Sequence, residues 1–280
     1  MRRENMLFDA HTHLNFEEFS EEERAEKAAA IEASELVNII DVGDNIESSK
    51  QAIADAEKYD WCYAAVGIHP QHCKMVDDEA LKCIEELAAH PKVKAIGEIG
   101  LDFYYGKDDQ EEQIEAFRKQ IRLANKLKIP IMIHTRDANQ LTMDILIEEG
   151  AFSDERKSWF PPRIVDGEEQ ADARVQLHCY SGSVELALEY VKKGATISLG
   201  GPITFKNGRK AAEVARAVPK EALMSETDAP YMAPEPLRGR QNRSEYVAHV
   251  VRRMSILKEL DYEEMGRILT ENGRRFFDIG

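Results

Sequence analysis

The sequence is poor in cysteine, short of basic residues and free of long apolar runs. Four cysteines occur in 280 residues: Cys62, Cys73, Cys83 and Cys179. None forms a CxxC pair, and four are too few for a disulfide framework, so they read as reduced thiols in a cytoplasmic protein. No stretch reaches the roughly 18 apolar residues of a membrane-spanning helix, so no membrane partner is expected. Residues 1–10 carry Arg2, Arg3, Glu4 and Asp9 and lack the apolar centre of a signal peptide. Lys and Arg number 37 against 52 Asp and Glu, for a formal net charge of −15. That balance excludes a protein that grips long duplex through a wide basic surface. It leaves room for an enzyme that holds phosphates through a few local groups or metal ions.

What is present is a patterned globular chain. Apolar residues make up 43%, enough for a sizeable core. Eight short apolar segments recur: Leu7–Ala10, Leu36–Val42, Cys62–Gly67, Val93–Glu98, Ile131–His134, Val175–His178, Thr196–Leu199 and Ala222–Ser225. Near-continuous apolar runs of this length suit buried parallel strands. Between them lie stretches with helical periodicity. Residues 109–128 put Ile114, Phe117, Ile121, Ala124 and Leu127 on one face, and residues 242–258 do the same with Tyr246, Val250 and Met254. The strand starts repeat at about 31 residues, the length of a βα unit. Eight such units predict a single α/β domain over residues 1–280, a (β/α)8 TIM barrel. A doubly wound sheet would carry a Gly-rich loop after the first strand, where this chain has His11-Thr12-His13. One interval is long. Residues 150–173, with Trp159, Phe160, Pro161 and Pro162, read as an insertion between strands 5 and 6: a surface ornament, a lid or an interface. Residues 17–35 hold eight glutamates and read as a solvated helix face.

The histidines are placed unevenly. His11 and His13 follow the first predicted strand, His69 the third, His134 ends the fifth and His178 the sixth. Glu98 ends the fourth and Asp228 follows the eighth. Strand ends of a parallel barrel converge on one face, where its active site sits. Imidazole and carboxylate are ligands for Zn, Mn or Fe, and for Mg where oxygen dominates. In an extended segment His11 and His13 point to the same side. A carboxylate such as Glu98 can bridge two ions, and six ligands suit two ions with open positions. Each element alone has a bland explanation: a buried histidine, a helix cap, a turn. Together they point to one metal site on one barrel face.

At these residues the chain resembles the TatD family of metal-dependent hydrolases, DNase-like members of the amidohydrolase superfamily. The resemblance rests on Phe8-Asp9-Ala10-His11-Thr12-His13-Leu14, Gly67-Ile68-His69-Pro70 and Gly97-Glu98-Ile99-Gly100-Leu101-Asp102. It continues through Ile133-His134-Thr135-Arg136-Asp137-Ala138, His178-Cys179-Tyr180-Ser181-Gly182 and Glu226-Thr227-Asp228-Ala229-Pro230-Tyr231. It implies two divalent ions (Mg, Mn or Zn), one held by His11, His13, Glu98 and Asp228 and the other by Glu98, His134 and His178. It implies a hydrolase of phosphodiesters, of the 3′→5′ exonuclease type, with nucleic-acid ends or another phosphodiester as substrate. Asp228 would double as general base beside Glu98, and His69 would sit near the substrate phosphate. Arg136 is a candidate phosphate clamp, whose structural alternative is an ion pair with Asp137 or Glu98; Tyr231 is a further candidate substrate contact. Glu226 would orient a ligand histidine. Gln71 and Ser244 depart from the residues common in the family. The ligand set by itself does not separate attack at phosphorus from attack at carbon, so an amidase, lactonase or deacylase is the alternative. Residues 203–258 carry eleven Lys and Arg against six Asp and Glu, which favours phosphate. Nothing in the sequence marks an obligate protein partner.

Overall fold

Ten strands and ten α-helices form in chain order, in a computed structural model that describes residues 7–280. The charged start at Arg2, Arg3 and Glu4, read above for a signal peptide, lies outside the described residues. The elements are β1 (Leu7–Thr12), α1 (Glu21–Glu32), β2 (Leu36–Val42), α2 (Ile46–Lys58), β3 (Cys62–Val66), α3 (Asp78–Ala88), β4 (Val93–Asp102), α4 (Gln110–Leu127), β5 (Ile131–Arg136) and α5 (Asn139–Glu148). There follow α6 (Asp154–Lys157), β6 (Arg163–Val165), β7 (Glu168–Gln170), β8 (Val175–Leu177), α7 (Val184–Lys192), β9 (Ala195–Leu199), α8 (Arg209–Ala217), β10 (Leu223–Ser225), α9 (Val247–Lys258) and α10 (Tyr262–Phe277). Eight strands pair in parallel in the order β1-β2-β3-β4-β5-β8-β9-β10. With helices between them they make a nearly closed (β/α)8 barrel.

Two apolar cores result. The outer one lies between strands and helices and includes Ile39, Ile96, Ile99, Phe117, Ile121, Leu177 and Met254. The inner one fills the barrel with Phe8, Ala10, Ile40, Val42, Ala65, Ala95, Met132 and Met224. Phe276, Phe277 and Ile279, at and beyond the end of α10, complete the inner core, with the Phe277 ring 5.9 Å from that of Phe8.

No ladder joins β10 to β1. The seam is closed by Ser225 Oγ donating to Phe8 O at 3.0 Å and, further up, by a parallel bridge between Thr12 and Ala229. Around that bridge Asp228 N–H donates to His11 O at 2.9 Å and His13 N–H to Ala229 O at 2.8 Å.

Strand limits differ from the sequence reading at the site. β4 runs four residues past Glu98, and β1 and β5 each run two residues further than expected. Pairing continues there because Gly100, Leu101 and Asp102 of β4 face His134, Thr135 and Arg136 of β5. Both long strands carry an extra residue. Asp9 to Thr12 spans three residues against two on β2, and Ile96 to Ile99 spans three against two on β5. Such bulges re-aim side chains beside active sites. Here they fall at His11 and Glu98.

The 150–173 insertion holds α6 and the β6–β7 hairpin. Its anchors lie at the N-terminal end of the barrel. Arg156 is fully buried and donates to Ala173 O (2.9 Å) just before β8, to Ile129 O (2.9 Å) just before β5 and to Asn125 Oδ1 (2.8 Å) in the last turn of α4. Arg163, also buried, donates to Thr196 Oγ1 at 3.0 Å and Val191 O at 3.2 Å. Metal ligands are expected at the opposite end, so the insertion is no lid over them. No helix among the described residues is long and apolar enough to cross a membrane.

Candidate metal centre

The C-terminal ends of the strands bring five histidines and the Asp228 carboxylate together with Glu98. Its Oε2 lies 2.8 Å from His178 Nε2, 3.2 Å from His134 Nδ1 and 3.9 Å from His11 Nε2. Its Oε1 faces His69 Nε2 at 4.0 Å. Ligand atoms within 4.8 Å of one another form three groups: His11, His13 and Asp228; His11, Glu98 and His178; His69, Glu98 and His134. The resemblance pairs His134 with His178. In the structure His178 lies against His11, with ring centroids 3.8 Å apart, and His69 stands beside His134.

Local structure fixes each side chain. His11 Nε2 and His13 Nε2 lie 3.2 Å apart, with Asp228 Oδ1 3.7 Å from the first and 3.4 Å from the second. Asp228 sits at φ +57°, a region that Asp tolerates better than most residues. Its turn is clamped by Asn242, whose Nδ2 donates to Thr227 O (2.8 Å) and Tyr231 O (2.7 Å). Ser244, one of the family departures, hydrogen bonds through Oγ to Thr12 Oγ1 at 2.9 Å.

The donor set fits divalent cations. His13 Nδ1 lies 2.8 Å from Val42 O, an acceptor only, so Nδ1 keeps its proton and Nε2 is the nitrogen whose proton a bound cation would displace. His178 Nδ1 lies 3.4 Å from Glu226 Oε1, which turns its Nε2 inward. Glu226 is held in turn by Cys179 N–H at 2.5 Å and by the Ser198 hydroxyl. His11 Nδ1 is buried with no partner, and its Nε2 faces the cluster. His69 differs. Its Nδ1 accepts the Gln71 N–H at 3.1 Å, so the neutral ring carries its proton on Nε2. That ring presents a hydrogen-bond donor, not a ligand lone pair.

Charge at the centre is arranged for a cation. Burial would raise Glu98, but His178, His69 and His11 hold it well below the usual carboxylate range. Burial would lower His13, but its bond to Asp228 and the charge of Glu98 raise it to about 9. His178 is driven well upward by Glu98 and Glu226 against the same burial. Burial brings His69 down to about 3, so it is neutral at pH 7.

Arg136 reaches the rim but makes neither ion pair expected of a structural arginine. Its guanidinium lies over the rings of Tyr104 (3.9 Å) and Tyr105 (4.7 Å). Tyr231 is 50% exposed, edge-on to His13 at 6.2 Å and to Phe16 at 5.9 Å. The basic excess of 203–258 divides. Lys206, Arg238, Arg240 and Arg243 lie on the loops after β9 and β10, with Arg243 paired to Glu26 and Glu245. Lys220 precedes β10, and Lys258 donates to Val218 O at the far end.

Two residues were given no role by the sequence reading. Asp102 Oδ2 lies 3.3 Å from His134 Nε2, on the ring edge away from Glu98. With the strand expected to end at Glu98, the sequence offers no signal for its place at the strand end. Asp9 is fully buried and crosses the seam to Thr227. An aspartate inside an apolar strand was the available signal.

Comparison with known proteins identifies a family. The sequence model of the family described as TatD related DNase matches residues 8–278. The chain is 41% identical over 276 residues to an uncharacterized metal-dependent hydrolase, YabD, of Bacillus subtilis strain 168, covering 98% of this chain and 100% of the relative. It is 29% identical over 279 residues to the 3′-5′ ssDNA/RNA exonuclease TatD of Erwinia tasmaniensis, covering 98% and 100%. Among solved structures it is similar to YJJV, a TatD homologue from Escherichia coli K12, with a TM-score of 0.85, 25% identity and coverage of 99% and 100%.

Proposed function

Because the chain belongs to the TatD-related DNase family, we propose that this metal-dependent hydrolase cleaves phosphodiesters at nucleic-acid ends, as a 3′→5′ exonuclease using two divalent ions. The observation that carries the reading is the Glu98 carboxylate, whose two oxygens face different histidines within one buried cluster. In this reading His11, His13, Glu98 and Asp228 hold one ion, and Glu98, His134 and His178 the other. Bound ions of this kind make water acidic enough to attack and neutralise charge on a phosphoryl group. The chain's own groups do the rest. Asp228, slightly open to solvent, accepts the proton of the attacking water. His69 donates Nε2–H to a phosphate oxygen, Arg136 offers its fork to a phosphate, and Tyr231 flanks the opening. A relative named as a single-strand DNA and RNA exonuclease supports the choice of phosphorus over carbon. The free thiols at Cys62, Cys73, Cys83 and Cys179 suit a cytoplasmic enzyme.

The test is incubation of purified protein with 5′-labelled single-stranded oligonucleotides, in Mg or Mn and in EDTA. Metal-dependent shortening from the 3′ end is expected. Turnover of lactones, esters or amides without cleavage of any oligonucleotide would move the reading to attack at carbon.

A further inference from the structure

The turn after β4 presents two tyrosines to solvent. Tyr104 is 50% exposed and Tyr105 is 64% exposed. Exposed aromatics on a loose loop would need no account, but this turn is tied down. Asp102 Oδ1 accepts the N–H groups of Tyr104 and Tyr105, each at 3.0 Å. Gly106 N–H reaches Asp102 O at 3.1 Å. Gln113 of α4 accepts Asp102 N–H at 2.8 Å and donates to the carbonyls of Asp102 (3.1 Å) and Gly106 (3.3 Å). The two rings meet edge to face, with centroids 4.8 Å apart and planes at 89°. The backbone that carries both rings is therefore set before any ligand arrives.

The cation beside them is uncommitted. The Arg136 guanidinium lies 3.9 Å from the Tyr104 centroid and 4.7 Å from that of Tyr105. Among the described residues nothing accepts a hydrogen bond from it. Stacking fixes its plane while leaving its N–H fork for a ligand. The turn is also joined to the metal centre. Asp102 uses its other oxygen on His134, at 3.3 Å. Arg136 follows His134 by two residues on β5, so both side chains leave the strand on one side, about 7 Å apart along it.

We propose that Tyr104, Tyr105 and Arg136 form a stacking subsite for a nucleobase next to the scissile phosphodiester, with Arg136 holding the adjoining phosphate. The proposal rests on the phosphodiesterase reading and narrows its substrate to strands with unpaired ends. Aromatic rings stack on any base, so the subsite tolerates sequence. Bases inside a duplex keep their faces covered and cannot use it. An aromatic platform also explains how an acidic protein retains a strand end without a broad basic groove.

The experiment compares two single-stranded oligonucleotides of equal length under the conditions of cleavage. One has ordinary bases throughout; the other is abasic at its last two 3′ positions. Wild-type enzyme is expected to show a KM about tenfold lower for the base-bearing strand. In Tyr104→Ala/Tyr105→Ala the two KM values should fall within about twofold of each other, with KM changing more than kcat. Tyr104→Phe/Tyr105→Phe should keep the preference, because stacking needs the ring and not the hydroxyl. Equal KM values in the wild type, or an undiminished preference in the alanine variant, would overturn the subsite while leaving the phosphodiesterase reading intact. Failure of the wild type to cleave either strand with any divalent ion overturns both. The wild-type comparison decides the matter even if a variant folds poorly.

Discussion

Asp9 grips Thr227 across the seam of the barrel. Its Oδ1 accepts the Thr227 N–H at 2.9 Å and its Oδ2 the Thr227 hydroxyl at 2.6 Å. The carboxyl is fully buried, and the residue it holds precedes Asp228. No strand ladder crosses here, so this contact helps set Asp228 against His11 and His13. Asp9→Ala should lower stability by about 2–4 kcal/mol, since it leaves two buried donors unpaired. It should also weaken divalent-ion binding, as read by metal titration alongside denaturant unfolding. Unchanged values in both would show that the seam holds without it.

Gly100 has φ +147°, and a Cβ there would overlap the His134 carbonyl oxygen. Only glycine lets β4 approach β5 at the residue that carries His134. Gly100→Ala should cost at least about 2 kcal/mol and lower Tm by several degrees. An alanine variant that melts with the wild type would contradict the packing described for these strands.

Arg156 ties the insertion to the end of the barrel opposite the metal centre through three hydrogen bonds. Arg156→Ala removes all three donors from buried acceptors and opens space around them. A loss of about 3 kcal/mol or more is expected. The rate per folded molecule should stay the same. A rate loss in fully folded variant would link the insertion to the site.

Asp44 supplies a pH dependence outside the ligand set. Burial would raise its carboxyl, but the ion pair with His72 (3.7 Å) and the hydrogen bond from Ser48 (2.6 Å) bring it down to about 2. A carboxyl more acidic in the folded chain stabilises it fully above the unfolded value near 4. That stabilisation disappears as pH falls through about 2. The partner's share runs the other way. His72 is raised, chiefly by its bond to Asp44, so its share is present below about 6.5 and lost as pH rises through the raised value. With the pair partly open to solvent, Asp44→Asn should cost about 1 kcal/mol at pH 6. The cost should shrink toward zero near pH 2, as followed by urea unfolding across pH. A cost independent of pH would assign the loss to packing.

Much of this was legible in the sequence, for physical reasons. Parallel strands buried on both faces must be apolar throughout, so all eight barrel strands stood out. Imidazoles at their ends stood out for the opposite reason: such groups are costly to bury unless something binds them. Glu98 was read as a strand terminus, whereas β4 continues to Asp102. Apolar patterning cannot show that a strand persists through glycine and carboxylate by pairing with its neighbour. The bulges at His11 and Glu98 were equally hidden, because an extra residue changes register and not composition. Asp102 went unassigned because its partners, His134 and the Tyr104–Tyr105 turn, meet it only in the fold. The insertion's place was hidden too. Its anchors, Asn125, Ile129 and Thr196, come from two other βα units.

The claim at the centre of the account is that Glu98 serves two ions. Metal content per chain, measured on wild type and Glu98→Gln after equilibration with Mn and removal of free metal, tests it directly. The account predicts close to two ions per wild-type chain and loss of most of both in the variant. One ion per wild-type chain, or a variant that keeps its full complement, would contradict it.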